Sequence, residues 1–310
     1  MTNLSSSMLS TIKNLYSNKC IQRSSLPHEL INYLLTLEFI KFKNDSVCGS
    51  FSDNMKLLEN DVLLRNLGFQ FIKYFYSIDS TMSHAKKIAD NYSKAIIFSE
   101  VQTKGRGRAR RIWLSPPGGI WLSILWQIER KELLEILSLA IGVAVVNALK
   151  KLLLIDFKLK WPNDIMFSVK KIGGILIENM FKDDKVLSII GIGLNVNNKM
   201  RFSGLQGVIS LSEILGFNMP RNVILKAIAL EVARILEKTG VEDIIDLWRK
   251  MNLTIGKKIA VKINHLVVEG IVLDISPRGK LIIEDSKGKV WEISYGDVVY
   301  LEGIEYRPIL

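Results

Sequence analysis

The period of the apolar residues changes along this chain, and that change limits what it can fold into. The tail breaks into five short alternating stretches: Lys257 to Ile263, Leu266 to Ile275, Lys280 to Glu284, Val290 to Ser294 and Val298 to Glu302. Turn formers such as SPRGK and DSKGK part them. Short strands packed so closely in sequence predict a small SH3-like barrel over residues 253–310.

Upstream, over 55–252, strand-like and helix-like segments are interleaved. Strands are expected at Phe71 to Ser77, Ala95 to Val101, Ile120 to Trp126, Phe157 to Trp161, Lys171 to Glu178 and Val186 to Gly191. Helices are expected at Ser83 to Asn91, Leu134 to Lys151 and Arg221 to Thr239. That mixture predicts an α+β unit with helices packed on a mixed or antiparallel sheet. Residues 1–54 read as two helices, Ser7 to Lys19 and Leu26 to Phe39, followed by a hairpin or loop in FKNDSVCGSFSDN. Helix, helix, hairpin outlines a winged helix. A helix-turn-helix also needs a short helix before the recognition helix, and IQRSS leaves little room for one.

Composition narrows the setting. Hydrophobic residues make up 48% of the chain, which supports a sizeable core and argues against disorder. The two cysteines, Cys20 and Cys48, imply no disulfide framework, so a reduced, cytoplasmic setting is expected. The start of the chain lacks the basic and unbroken apolar run of a signal peptide. Leu137 to Leu149 is too short for a membrane span and reads as a buried core helix. The net charge of +11 favours an anionic partner: nucleic acid, a nucleotide or an acidic carrier protein.

The strongest local signal is QTKGRGRARRIW, Gln102 to Trp113. Lys104, Arg106, Arg108, Arg110 and Arg111 place five cations within eight residues, with no carboxylate among them. Gly105 and Gly107 let the backbone approach a ligand closely. Charge alone would suit a surface loop or a nucleic-acid patch. Core-like strands on both sides make it a binding lid instead, one that repels itself until an anion such as a triphosphate neutralises it.

Three further segments carry polar groups. In KWPND (Lys160 to Asp164), Asp164 suits Mg²⁺ ligation or the orientation of a lysine, and Asn163 with Asp164 also suits an ordinary turn. Lys171 heads an apolar strand, KIGGILIE. Ser80 or Thr81 caps the helix that follows and can also face a small polar ligand such as a ureido ring. GIGLNVN (Gly191 to Asn197) sets glycines and amides at a strand end, for close ligand approach or a simple bend.

Together these segments resemble the biotin–protein ligase family, including its bifunctional ligase/repressor members. The family's S-T-N is similar to Ser80, Thr81 and Met82, and its G-R-G-R-x-G-R-x-W loop to Gly105 to Trp113. Its K-W-P-N-D and R/K-K-x-x-G-I-L-x-E stretches match Lys160 to Asp164 and Lys170 to Glu178. The resemblance implies a class II aminoacyl-tRNA synthetase-like catalytic fold that makes biotinoyl-5'-AMP from biotin and ATP. The biotin would then pass to a lysine of a biotin carboxyl carrier protein.

By position, the resemblance implies biotin contacts from Ser80, Thr81, Met82, Gln102, Gly105, Arg106, Gly107, Arg108, Lys171 and Gly174. ATP contacts fall to Arg106, Arg108, Arg111, Trp113, Lys160, Asn163, Asp164, Lys171 and Asn195. Arg108, Lys171 and Asp164 are the implied catalytic residues, and Asp164 the implied Mg²⁺ ligand. Two departures stand out: Met82 replaces an asparagine, and Arg110 replaces the third glycine of the loop. A homodimer is a further implication.

A lipoate or octanoate ligase would share the fold, but its histidine-containing turn has no counterpart between His84 and His265. A P-loop kinase is excluded because GxxxxGK[ST] is absent. A DNA-binding regulator is the reading from another class. Residues 1–54 carry Lys13, Lys19, Arg23, Lys41 and Lys43 against Glu29, Glu38, Asp45 and Asp53. That near balance argues against an operator-binding face.

Overall fold

The computed structural model describes residues 5–200 and 206–302. The ends of the first and last expected regions, 1–4 and 303–310, lie outside them.

The N-terminal elements run Ser6–Tyr16 (α1), Ile21–Gln22 (β1), a 3-10 turn at Arg23–Ser25, His28–Thr36 (α2), Ile40–Lys43 (β2) and Ser46–Gly49 (β3). The three strands form a sheet in the order β1-β3-β2. The 3-10 turn occupies the stretch that seemed too short for a helix. One expectation is overturned here: Cys20 and Cys48 are joined by a disulfide. Pairing of Ile21 with Val47 sets the two cysteines beside each other across the sheet.

The central sheet is built from Phe71–Ile78 (β4), Lys94–Gln102 (β5), Ile120–Gln127 (β6), Lys158–Lys160 (β7), Asp164–Phe167 (β8), Lys170–Lys182 (β9) and Lys185–Leu194 (β10). Its order is β4-β5-β6-β10-β9-β8-β7. β4 and β5 are parallel and the remaining neighbours antiparallel, so the sheet is mixed. The expected strand at Phe157 to Trp161 is only β7; the chain then turns at Pro162 into β8. The helices are Val62–Asn66 (α3), Thr81–Ile88 (α4), Leu137–Leu153 (α5), Leu211–Leu215 (α6), Arg221–Lys238 (α7) and Val241–Met251 (α8). α5 is apolar nearly all round and correspondingly buried, packed between the sheet and α7 and α8. α4 packs on β5, β6 and β10 through Met82 and Ala85, which belong to a separate apolar cluster with Ile97 and Ile189.

The tail forms Lys258–Ile263 (β11), Leu266–Ile275 (β12), Leu281–Glu284 (β13), Val290–Ile293 (β14) and Asp297–Leu301 (β15), an antiparallel sheet in the order β14-β13-β12-β11-β15. One buried apolar cluster runs through all three sheets, from Ile12 through Leu149 to Ile283. Among the described residues no helix is long and apolar enough to cross a membrane.

Candidate active site

A cavity of about 710 Å³ opens between the central sheet, the 103–119 loop and the C-terminal sheet. Its floor is glycine-rich β-structure. Gly191 and Gly193 of β10 lie on one face of the strand, two residues apart. A Cβ on Gly191 would stand 2.6 Å from Met82 Sδ, and one on Gly193 would stand 2.5 Å from Trp113 Nε1. Both side chains therefore use the space a larger residue would fill. The Trp113 indole N–H is buried and meets no acceptor among the described residues.

Beside Met82, the start of α4 is tied to the end of β5. Gln102 Oε1 accepts from the Thr81 N–H at 2.9 Å and from Thr81 Oγ1 at 3.0 Å. Thr81 Oγ1 also meets Ser123 Oγ at 2.7 Å, and Gln102 Nε2 donates to Ser115 Oγ at 2.9 Å. The result is a run of oriented polar groups in an otherwise apolar wall. Ser80 is the N-cap of α4, accepting from Ser83 N at 3.4 Å, and it also lines the cavity.

At the Trp113 end, two ammoniums share one carboxylate. Lys171 Nζ lies 2.5 Å and Lys160 Nζ 2.7 Å from Asp164. Burial alone would raise the Asp164 pKa, but the two ammoniums hold it well below the usual carboxylate range. Burial pulls Lys160 below its ordinary value, an effect Asp164 partly offsets. Lys171 Nζ also sits 5.1 Å from the Trp113 ring centroid. Each Asp164 oxygen already carries an ammonium, Lys171 on Oδ1 and Lys160 on Oδ2. No group of three metal-binding side chains occurs among the described residues. The residues present do not fit a Mg²⁺ site of their own.

The cationic loop covers this end. Its self-repulsion is relieved by the protein itself, which the sequence reading did not anticipate. Arg106 pairs with Glu178 at 3.1 Å, and Arg111 pairs with Asp297. Arg108 donates to Asn163 Oδ1 and to the Gly296 carbonyl, each at 3.3 Å. Burial lowers the Arg108 pKa, while Asp297 and Asp164 oppose the shift.

Of the sequence-derived residues, Ser80, Thr81, Met82, Gln102, Arg106, Gly107, Arg108, Arg111, Trp113, Lys160, Asn163, Asp164, Lys171, Gly174 and Asn195 all line the cavity. Gly105 does not. A Cβ there would stand 2.3 Å from the Trp113 carbonyl, so its part is to let the loop close on itself. Glu178, Ser115, Ser123, Lys262 and Asp297 escaped the sequence reading. Only Glu178 lay within a motif already singled out. None of the three histidines lines the cavity; His84 packs against Phe71 and Phe75.

Comparison with known proteins agrees with this geometry. The model of the Biotin/lipoate A/B protein ligase family matches residues 74–195, and that of the Biotin protein ligase C terminal domain matches 254–300. The bifunctional ligase/repressor BirA of Escherichia coli is 31% identical over 252 residues, 78% of each chain. The biotin–[acetyl-CoA-carboxylase] ligase of Mycobacterium tuberculosis is 32% identical over 216 residues, 66% of this chain and 79% of that one. The structure of the biotin protein ligase from Aquifex aeolicus in complex with biotin and ATP has a TM-score of 0.63 at 30% identity, covering 76% of this chain and 99% of that one. The chain belongs to the biotin/lipoate A/B protein ligase family. Within it, the chain stands with the biotin–protein ligases.

Proposed function

We propose that this ligase binds biotin at the Ser80–Met82 and Gln102 end of the cavity and ATP at the Trp113 end, and joins them under Arg108. The reaction forms biotinoyl-5'-AMP and then transfers biotin to a lysine of a biotin carboxyl carrier protein. A biotin carboxylate oxygen bonds to the ATP α-phosphorus as the bond to pyrophosphate breaks. The acceptor amine then attacks the acyl carbon, the bond to AMP breaks, and the nitrogen gives up its proton.

The observation that carries this reading is the convergence of Arg106, Arg108, Arg111 and Lys171 on a cavity whose other end holds the Thr81–Gln102 polar array. Positioning and charge neutralisation are what such a site supplies. An exposed ion pair contributes about 1 kcal/mol, and a shielded one several-fold more. Loop closure therefore strengthens each arginine–phosphate contact and keeps water from the anhydride. Lys160 and Asp164 hold the Lys171 ammonium at the phosphate. Asn163 holds Arg108 from the opposite side.

Pyrophosphate–ATP exchange with MgATP and either biotin or lipoate tests the assignment without any acceptor. Exchange with biotin alone is expected; exchange with lipoate alone would overturn the substrate. Arg108→Ala should slow adenylate formation and let the intermediate leak.

We read the central unit, 55–252, as class II aminoacyl-tRNA synthetase-like and the tail, 253–310, as an SH3-like barrel. Residues 1–54 form a winged-helix-like unit with a structural task. α2 exposes His28, Glu29, Asn32, Leu35 and Thr36, and none of these is a lysine or an arginine. Its other face is buried, with the Tyr33 hydroxyl 3.5 Å from the Ala227 carbonyl of α7. Salt-dependent binding to duplex DNA would reverse this reading. A homodimer is tested by sedimentation. The cytoplasmic setting is tested against the Cys20–Cys48 cross-link by thiol labelling of protein taken directly from cells.

A further inference from the structure

Among the described residues six cations line the cavity, and five of them already meet an acceptor in the protein. Arg106 has Glu178, Arg111 has Asp297, and Lys160 and Lys171 share Asp164. Arg108 donates to Asn163 Oδ1 and to the Gly296 carbonyl. Lys262 is the sixth. It is exposed, and its ammonium has neither a carboxylate nor a hydrogen-bond acceptor among the described residues.

A lysine without a partner is ordinarily a solvated side chain. Placement sets this one apart. Lys262 stands in β11, directly across from Asp297 of β15 and Val267 of β12. Opposed residues of neighbouring strands share a sheet face, and Lys262 and Asp297 both line the cavity. Gly296 makes the approach possible. A Cβ there would stand 2.6 Å from Val261 Cγ1 and 3.0 Å from the Lys262 carbonyl, so glycine lets β15 begin hard against β11. The same Gly296 and Asp297 receive Arg108 and Arg111. Arg108 thus spans from Asn163, just before β8, to Gly296, and Lys262 lies at the end of that span away from the central sheet.

We propose that Lys262 is a catalytic residue for the leaving group: its ammonium binds the β- and γ-phosphates of ATP and the pyrophosphate they become. The inference rests on the ligase reading of the cavity and deepens it. As the biotin carboxylate oxygen bonds to the α-phosphorus, the bond to the bridging oxygen breaks and that oxygen keeps the electron pair. Negative charge therefore grows on pyrophosphate, and in-line displacement sends it to the side opposite biotin. Biotin is assigned to the central sheet; the tail forms a different wall. The other cations must leave or share a protein acceptor to take up phosphate, whereas Lys262 gives up only water. A compact ammonium also suits a group that has to depart, where a guanidinium would fork onto it.

Calorimetry of full-length Lys262→Ala with MgATP and, separately, with AMP tests this without turnover. Affinity for MgATP should fall about fivefold or more, the scale of one charge at water-like screening. Affinity for AMP should stay within about twofold. In pyrophosphate–ATP exchange, KM for pyrophosphate should rise by the same factor while KM for biotin holds. Lys262→Arg should recover most of the affinity, and the difference should shrink as salt is raised. Equal loss for MgATP and AMP would overturn the proposal, as would no loss for either. So would a normal KM for pyrophosphate with a raised KM for carrier protein, which would put the ammonium on the acceptor's carboxylates. Wild-type protein silent in biotin-dependent exchange would overturn the ligase reading instead, since the comparison of MgATP with AMP still decides the role of Lys262.

Discussion

Arg111 of the cationic loop is ion-paired with Asp297 at the start of β15, so a side chain of the C-terminal sheet already occupies a cation that faces the cavity. Arg108 reaches the adjacent Gly296 carbonyl. The tail thus forms one wall of the cavity, and with ATP placed as proposed Asp297 would compete with phosphate for Arg111. Both partners are substantially exposed, at 49% and 35%, so the pair adds about 0–1 kcal/mol to stability. Asp297→Asn should leave Tm nearly unchanged and lower KM for ATP. The gain is bounded near fivefold, the equivalent of about 1 kcal/mol for one charge at water-like screening. It should shrink as salt is raised towards 1 M. A KM that rises on removing Asp297 would mean the pair serves loop closure more than it blocks phosphate.

Arg110 stands where the family pattern has glycine, and its backbone shows why. Its φ is +61, following Ala109 at +51, so two consecutive side-chain-bearing residues sit in the left-handed region. That conformation costs about 1–2 kcal/mol per residue without glycine. Arg110→Gly should keep biotin-dependent exchange within about twofold, because the guanidinium is exposed and has no assigned contact in the site. Arg110→Val should lower it several-fold, since a β-branched residue resists that φ. Equal loss in both variants would show that the charge itself matters.

The contrast between these two loop positions shows what the sequence makes legible. The strands of the tail and most of those in the central sheet announce themselves through alternation, because each buries one face. Lys160, Asp164 and Lys171 announce themselves through motif order. Asp297 and Ser123 do not, because nothing local marks an acid opening a tail strand or a serine inside an apolar run as part of a distant cavity. The same holds for Lys262 within an ordinary tail strand. α8 went unread because its apolar positions, Ile244, Ile245 and Trp248, sit among charged residues. The cysteines misled for the opposite reason: composition suggested two free thiols, and only strand pairing brings Cys20 to Cys48.

Gly193 gives a sharp test of the nucleotide end. A methyl group there would lie 2.5 Å from Trp113 Nε1 and 2.6 Å from Cε2, too close for any rotamer adjustment of the ring in place. Trp113 must then swing off the sheet and carry the end of the loop with it. Gly193→Ala should raise KM for ATP more than tenfold, with little change in biotin affinity by calorimetry. An equal loss in both affinities would indicate that the displaced loop serves the two ligands alike, and would remove the separate assignment of Trp113.

Asp164 offers the pH-dependent test. Its carboxylate is nearly buried between the Lys160 and Lys171 ammoniums, which hold its pKa well below the ordinary 3.8. Asp164→Asn removes the charged carboxylate that both ammoniums contact, and breaking a buried ion pair of this kind costs about 3–5 kcal/mol. The sign of the pH effect follows from linkage. The native carboxyl binds its proton less readily than the unfolded one, so its contribution is complete above the unfolded value and is lost as pH falls below it. Urea unfolding should therefore show the wild type well above Asp164→Asn at pH 7, with the gap narrowing steadily below about pH 4. A gap that stays constant into acid would mean that Asp164 acts through packing and hydrogen bonding, and that the two lysines find their charge balance elsewhere.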